Sequence, residues 1–318
     1  MRYFLDFEKP IAELETKIDE LRTMSEAGGL NIADEVSKLT EKADRQLRAT
    51  YAKLTAWPTT LVARHPERPK AKDFIQALIT DWTPLAGDRA FADDAAVLSG
   101  LGRFRGRSVM VLGTEKGTDT ESRVAHNFGM ARPEGYRKAR RLMELAGRFG
   151  LPVLTFVDTS GAFPGIDAEA RGQAEAIARS IEACLELPVP MVATIIGEGG
   201  SGGALGIAAG DVVLMMEHAI YSVISPEGCA AILWKDSAQA PIAAEALKLT
   251  AEDLKRLKLI DTVVPEPLGG AHRDHAAAIA AVGDAVQAAL APLVLLDPGV
   301  LRTRRWEKYT EMGRETIV

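Results

Sequence analysis

Ile196-Gly197-Glu198-Gly199-Gly200-Ser201-Gly202-Gly203-Ala204 follows an apolar, β-rich run over 189–196 and opens a short apolar stretch. A strand enters a glycine turn and a helix leaves it. Glycines without side chains let an outside atom approach the backbone, and the amides at the start of the new helix have no intrahelical partner. Such a corner holds an anion, or an oxygen on which negative charge grows. A second loop, Asp158-Thr159-Ser160-Gly161-Ala162-Phe163-Pro164-Gly165, follows an apolar strand over 152–157, one strand–helix unit earlier. Two backbone-rich loops at successive strand ends suit a site whose donors are main-chain N–H groups.

Around these loops the rhythm is strand, strand, helix. Strands over 98–104 and 108–112 flank Arg105-Gly106 as a hairpin, and a helix over 133–149 leads to the strand over 152–157. One helix is expected over 168–187. After the glycine turn come a short helix, strands over 212–216 and 220–224, helices over 227–234, 242–249 and 252–258, and a strand over 261–264. Helical patterns over 272–290 and 299–312 close the chain. Upstream, Phe7, Ile11, Leu14, Ile18 and Leu21 step by four and three. After Ala27-Gly28-Gly29 a second series runs through Ile32, Val36, Leu39, Ala43, Leu47, Tyr51 and Leu54, giving an antiparallel helical hairpin. Pro10 suits the first turn of one helix and Asn31 the cap of the other. Such a pair must bury its seams against the main body or against a partner. Trp57-Pro58 and Arg64-His65-Pro66-Glu67-Arg68-Pro69 mark a connector. The expected organisation is a helical arm over 1–57, a connector and helical lead-in over 58–97, an α/β domain over 98–294 and a C-terminal helix over 295–318.

With 318 residues, 47% of them apolar and 26% charged, the chain has material for a substantial core. Asp6 and Glu8 interrupt the early apolar patch and spoil a signal peptide, and no apolar run approaches the roughly 20 residues of a membrane helix. A cytoplasmic protein without a membrane segment is expected. Cys184 and Cys229 are too far apart for a zinc ribbon and read as free thiols, so no metal is expected in this chain. A formal charge of −6 argues against general nucleic-acid binding.

The turn admits other readings. Gly197 to Gly202 satisfies G-x-G-x-x-G, with Glu217 near the place of a ribose-binding acid, as in an NAD-binding oxidoreductase. The helix before Gly210 is only about two turns, too short for the usual dinucleotide crossover. Gly199 to Gly203 also fits the G-x-S-x-G elbow of a serine hydrolase, with Asp211 or Glu217 and His218, His272 or His275 downstream. Nothing in the spacing selects a base for Ser201, which reads equally as a turn residue or cap. Arg132, Arg137, Lys138, Arg140, Arg141 and Arg148 decorate one helix, and Arg103, Arg105 and Arg107 the hairpin. Such cations solvate a surface, or meet a phosphate-bearing ligand or an acidic partner.

Several segments taken together resemble the carboxyltransferase alpha subunit of bacterial acetyl-CoA carboxylase. They are Phe4-Leu5-Asp6-Phe7-Glu8, Asn127-Phe128-Gly129-Met130, Pro133-Glu134-Gly135-Tyr136-Arg137-Lys138, Arg171-Gly172-Gln173, the 197–204 turn, Ser222-Val223-Ile224-Ser225-Pro226-Glu227-Gly228-Cys229, and Pro265-Glu266-Pro267-Leu268-Gly269-Gly270-Ala271-His272-Arg273. The resemblance covers the full length. It implies a crotonase-like α/β fold of repeated ββα units over 98–294, between the helical hairpin and the C-terminal helices. It implies transfer of a carboxyl group from carboxybiotin, on a biotin carboxyl carrier protein, to acetyl-CoA, giving malonyl-CoA for fatty-acid biosynthesis. The implied partners are a zinc-ribbon beta subunit, in an alpha2-beta2 heterotetramer, the carrier protein and biotin carboxylase. On this resemblance the amides of Gly202 and Gly203 are the oxyanion donors on the biotin side. Gly199, Gly200 and Ser201 shape the approach, and Gly161, Ala162 and Gly165 line the facing loop. The released biotin nitrogen takes the acetyl-CoA proton, so no side-chain base is needed. Ser160 stands where the family pattern, Asp-Thr-Pro-Gly-Ala, has proline.

Overall fold

The computed structural model describes residues 3–28 and 33–314. Gly29, Asn31 and Ile32, assigned above to the hairpin link, its cap and the second apolar series, lie outside them. Helices α1 (Lys9–Gly28) and α2 (Ala33–Tyr51) pack on each other as the arm, and Ile11, Leu47 and Tyr51 join Leu5 and Val62 in a small core. The two acids of the opening patch part company. Asp6 is exposed, whereas Glu8 is fully buried, accepting from the Tyr51 hydroxyl at 3.0 Å, the Leu5 amide at 2.9 Å and Arg273 Nη2 at 3.2 Å.

The connector holds α3 (Ala56–Ala63), α4 (Ala71–Leu78) and then β1 (Ile79–Pro84). This strand escapes sequence reading because only Ile79 of its six residues is buried, leaving no apolar alternation. Strands β2 (Val97–Phe104) and β3 (Arg107–Thr114) make the expected hairpin, with Arg105 and Gly106 both at positive φ. Helix α5 (Thr120–Ala125) was not foreseen; it buries no residue, and the Asp119 side chain caps it through the Ser122 amide. Helix α6 (Pro133–Phe149) begins on a proline and ends at left-handed Gly150, leading to β4 (Val153–Thr159). The single helix expected over 168–187 is two, α7 (Ile166–Ala170) and α8 (Gln173–Glu186). Gly172, at φ +80°, breaks it while the apolar period continues across the break.

Strand β5 (Met191–Gly200) runs four residues further than its apolar stretch, and α9 (Ser201–Ala208) starts at once. The remainder is β6 (Val212–Met216), β7 (Ile220–Ser222), α10 (Pro226–Trp234), α11 (Ala240–Leu247), α12 (Ala251–Arg256), β8 (Thr262–Val264), α13 (His275–Leu293) and α14 (Pro298–Glu311). Strand β7 stops earlier than expected because Ser225 already caps α10, its hydroxyl accepting from the Gly228 amide at 3.1 Å.

The sheet has the order β1-β2-β3-β4-β5-β6-β8, antiparallel from β1 to β3 and parallel from β3 onward, while β7 pairs with the far end of β5. Every residue of β4 is buried, which is why it reads as a continuous apolar run. Helices α4 and α13 pack together on the sheet, and α6 packs on β2 and β3 and against α8. The expectation about apolar runs needs correction at α13, which is apolar and long enough to cross a membrane by composition alone. Alanines make it so; Ile279, Val282, Val286, Leu290 and Leu293 face inward onto the core of the sheet, at helical spacing.

Candidate active site

Beyond the apolar run β5 continues to Gly200 because Gly199 pairs with Thr159 of β4 and Glu198, Gly199 and Gly200 pair with β7. The turn therefore contracts to Gly200-Ser201. Ser201 is exposed at φ +52°, a left-handed conformation that a β-carbon makes unfavourable. Gly202 is half-buried and Gly203 buried, in the first turn of α9, where N–H groups lack an intrahelical acceptor and Gly200 provides no side-chain cap.

The structure brings the two glycine loops together, backbone against backbone. A β-carbon on Gly200 would lie 2.2 Å from the Ser160 carbonyl, and one on Gly203 would lie 2.5 Å from both Gly161 C and Ala162 N. Only glycine permits this approach at either position. A β-carbon on Gly199 would meet the Tyr221 ring at 2.6 Å, whereas one on Gly202 would make ordinary contact with Ile177 at 3.5 Å. In the facing loop the Thr159 hydroxyl donates to Gly161 O at 2.8 Å and accepts from Gly161 N at 3.1 Å, pinning the chain on both sides of Ser160. Gly165 folds under the Phe163 ring, where a β-carbon would come within 2.2 Å. Gln173 Nε2 donates to Ala131 O and Phe163 O, both at 2.9 Å, tying this loop to the segment before α6.

Behind the turn lies a set of buried and half-buried charges that sequence reasoning missed. Lys116 Nζ stands 2.8 Å from Asp158 Oδ1 and 2.5 Å from Glu198 Oε2. Arg64 reaches Glu198 Oε1 at 2.6 Å and Glu227 Oε1 at 2.5 Å, and Lys70 lies 4.0 Å from Asp158 Oδ2. Burial alone raises the Asp158 and Glu198 carboxyls, but the Lys116 charge outweighs it, assisted by Lys70 at Asp158 and Arg64 at Glu198. Both stay below the usual carboxylate range. Burial lowers the Lys116 ammonium, and the two carboxylates more than reverse this; Lys70, with weaker pairing, ends below its ordinary value. Asp158 and Glu198 were read above only as parts of glycine loops. Their partners come from 42 and 82 residues upstream, at Lys116, and from 134 upstream, at Arg64, so no local pattern links them.

The competing constellations do not assemble. Among the described residues no histidine or carboxylate bonds the Ser201 hydroxyl. His218 Nδ1 faces Glu266 Oε2 at 3.3 Å, His272 stacks on His65 at 3.7 Å, His275 bonds the Glu67 carbonyl at 2.6 Å, and Asp211 is paired with Arg305. Glu217 accepts from the Glu266 amide at 3.0 Å. Several cations of α6 are also engaged: Arg137 with Asp88 and Glu134, Lys138 with Asp93, and Arg140 with Glu144.

A family model described as acetyl co-enzyme A carboxylase carboxyltransferase-like matches residues 4–313. An Acidiphilium cryptum protein named acetyl-coenzyme A carboxylase carboxyl transferase subunit alpha is 68% identical over 314 residues, 99% of either chain. Among solved structures, transcarboxylase 12S with methylmalonyl-coenzyme A and methylmalonic acid bound superposes with a TM-score of 0.59 at 18% identity, over 72% of this chain and 42% of that one. The chain thus spans less than half of that structure's length. A Pseudomonas malonate decarboxylase hetero-tetramer in complex with coenzyme A gives a TM-score of 0.57 at 15% identity, over 70% of this chain and 92% of the other. The fold is accordingly the crotonase-like fold of carboxyltransferases. Since the matched residues take in the arm, both glycine loops and the Ser222–Cys229 segment, the chain belongs to the acetyl-CoA carboxylase carboxyltransferase family, among its alpha subunits.

Proposed function

We propose that this chain is the biotin-facing half of a two-chain carboxyltransferase that moves a carboxyl group from carboxybiotin on a carrier protein to acetyl-CoA, forming malonyl-CoA. The observation that carries the reading is the glycine corner, where Gly200 and Gly203 meet the 160–162 backbone at distances no side chain allows. The residues present fit a planar ureido group, because the corner offers main-chain donors and no side chain that obstructs them. Carboxybiotin, when bound, supplies the carboxyl group and a ureido oxygen that gains negative charge as its nitrogen–carbon bond breaks. The Gly202 and Gly203 amides, already fixed by the helix start, stabilise that charge without reorganising, a contribution of about 3–4 kcal/mol per donor in comparable sites. Gly199, Gly200 and Ser201 shape the approach, and Gly161, Ala162 and Gly165 form the facing wall. Ser201 Oγ lacks a base, and Asp158 and Glu198 are held ionised and buried, so this chain offers no side-chain general base at the corner among the described residues.

A beta-type subunit completes the cleft in this reading. Ser201 is exposed, so the corner needs a second wall to exclude water. Val223 is 79% exposed, and Ile232, Leu233 and Trp234 stand out on α10, the helix whose first turn Arg64 ties to the network. Such apolar surface fits a partner chain. An alpha2-beta2 assembly, served by a biotin carboxyl carrier protein and biotin carboxylase, is part of the proposal.

The test is carboxyl exchange between malonyl-CoA and biocytin, using the chain co-expressed with a beta-type subunit. Activity should require both chains. From sequence, Gly203→Val is expected to fold normally; the 2.5 Å contacts show that even Gly203→Ala must displace one loop. A displacement of about 1 Å there should reduce exchange about 100-fold. Normal exchange by Gly203→Ala, or labelling of Ser201 by a fluorophosphonate, would overturn the reading.

A further inference from the structure

Lys116, two residues beyond β3, meets Asp158 near the end of β4 and Glu198 near the end of β5, at the place where the ladder between β4 and β5 is interrupted. Pairing runs regularly to Val157 with Ile195 and resumes at Thr159 with Gly199. One residue of β4, Asp158, thus lies opposite three of β5, 196–198, directly before the glycine corner. Across such a bulge the ladder between β4 and β5 is locally disrupted, and residues 196–198 have no ladder partner on β4.

Side chains replace the missing ladder bonds. The Glu198 amide donates to Asp158 Oδ1 at 2.9 Å, and the Ile196 carbonyl accepts from Arg68 Nε at 2.7 Å. The Asp158 amide donates to Thr114 Oγ1 at 2.7 Å. Lys116 then joins the two carboxylates across the gap, with its stem packed where a β-carbon on Gly129 would lie 2.8 Å from Lys116 Cγ. The remaining cations pull outward: Arg64 holds the other oxygen of Glu198, and Lys70 faces the other oxygen of Asp158, which has no hydrogen bond of its own. Without the central ammonium, two buried carboxylates would face each other with their counter-charges on opposite sides. Loops 158–165 and 197–203 would then be drawn apart.

We propose that Lys116 is a positioning residue for carboxyl transfer: by bridging Asp158 and Glu198 across the β-bulge, it sets the separation of the two glycine loops at which the Gly202 and Gly203 amides act. This rests on the functional reading above. Lys116 touches no reacting atom, and its side chain is 17% exposed, so its influence passes through the backbone that its two partners hold.

The experiment measures kcat and KM for malonyl-CoA in the exchange reaction of the two-chain complex. Lys116→Met should lower kcat about 100-fold, the effect of roughly 1 Å of misplacement, and leave KM for malonyl-CoA unchanged. Lys116→Arg, which keeps the charge, should recover part of that loss, and Lys116→Gln should not. Because Lys116→Met leaves two buried carboxylates opposed and threatens folding, the double variant Lys116→Met with Glu198→Gln removes the repulsion without restoring the bridge. It should melt cooperatively, bind the beta-type subunit and remain as slow as Lys116→Met. Wild-type-like kcat in Lys116→Met, or its recovery in the double variant, overturns the positioning role. Loss of cooperative melting in both variants also overturns it, because Lys116 would then serve only the fold. Absence of exchange in the wild-type complex strikes the functional reading instead.

Discussion

His272 is buried with its Nδ1 unpartnered, stacked on His65, and carries no charge at neutral pH. Burial pushes its imidazole down to about 2, reinforced by His65, Arg273 and Arg68 and opposed by Glu266; burial also lowers His65. A base that resists protonation when folded takes its proton more readily when unfolded. Stability is therefore complete above the unfolded pKa of about 6.5 and falls as pH drops below it, by about 1.4 kcal/mol per pH unit for each proton. Denaturant midpoints measured between about pH 6.5 and pH 5 should show this slope, and His272→Gln should flatten it. A pH-independent wild type would contradict the assignment. Ser201 illustrates the opposite kind of residue, exposed and held in a left-handed conformation by the strand and helix on either side of it.

At the scale of elements, α14 is fastened by the buried Arg305 together with buried Leu301 and the bonds of Lys308 and Tyr309. The Arg305 guanidinium donates to the carbonyls of Cys184 and Leu187 at 2.8 Å and of Val189 at 3.1 Å, and pairs with Asp211 at 2.6 Å. It closes the end of α8, where helix carbonyls lack partners, and fixes the entry to β5. Arg305→Met should cost about 3–5 kcal/mol, because Asp211 is left buried without its counter-charge, and a shift of the denaturant midpoint measures it. Elements with an apolar period were legible in sequence, as α6, β4 and the hairpin of β2 and β3 show. Three features were not, each for its own reason. Strand β1 buries one residue, α5 buries none, and the α7–α8 break turns on the φ of Gly172. The candidate site divides in the same way: its glycines announce themselves through composition, whereas Lys116 and Arg64 become visible only when the sheet places them beside Glu198.

Across the whole molecule, the first and last parts of the chain are joined through charged groups far apart in sequence. Arg273 reaches Glu8, 265 residues away, at 3.2 Å and Glu15 at 2.7 Å, locking the arm to the turn before α13. Arg273→Met should strip the buried Glu8 of its counter-charge at about 3–5 kcal/mol, and should release the arm, read as faster proteolytic cleavage within α1 and α2. Unchanged cleavage would show that the apolar seam of Leu5, Ile11 and Leu47 holds the arm unaided. Sequence left open whether the hairpin packs on the body or serves a partner. The Glu8 contacts answer for its base.

Both fastenings have a consequence for biosynthesis. A nascent chain emerging from the ribosome presents Glu8 long before Arg273 exists, and exposes the carbonyls at 184–189 before Arg305 is translated. Such distant pairings form late, so the growing polypeptide waits in an incomplete state until Arg273 and then Arg305 are translated. Products terminated before Arg273 therefore lack both clasps, and those terminated between Arg273 and Arg305 hold the arm but leave the carbonyls at 184–189 unclosed.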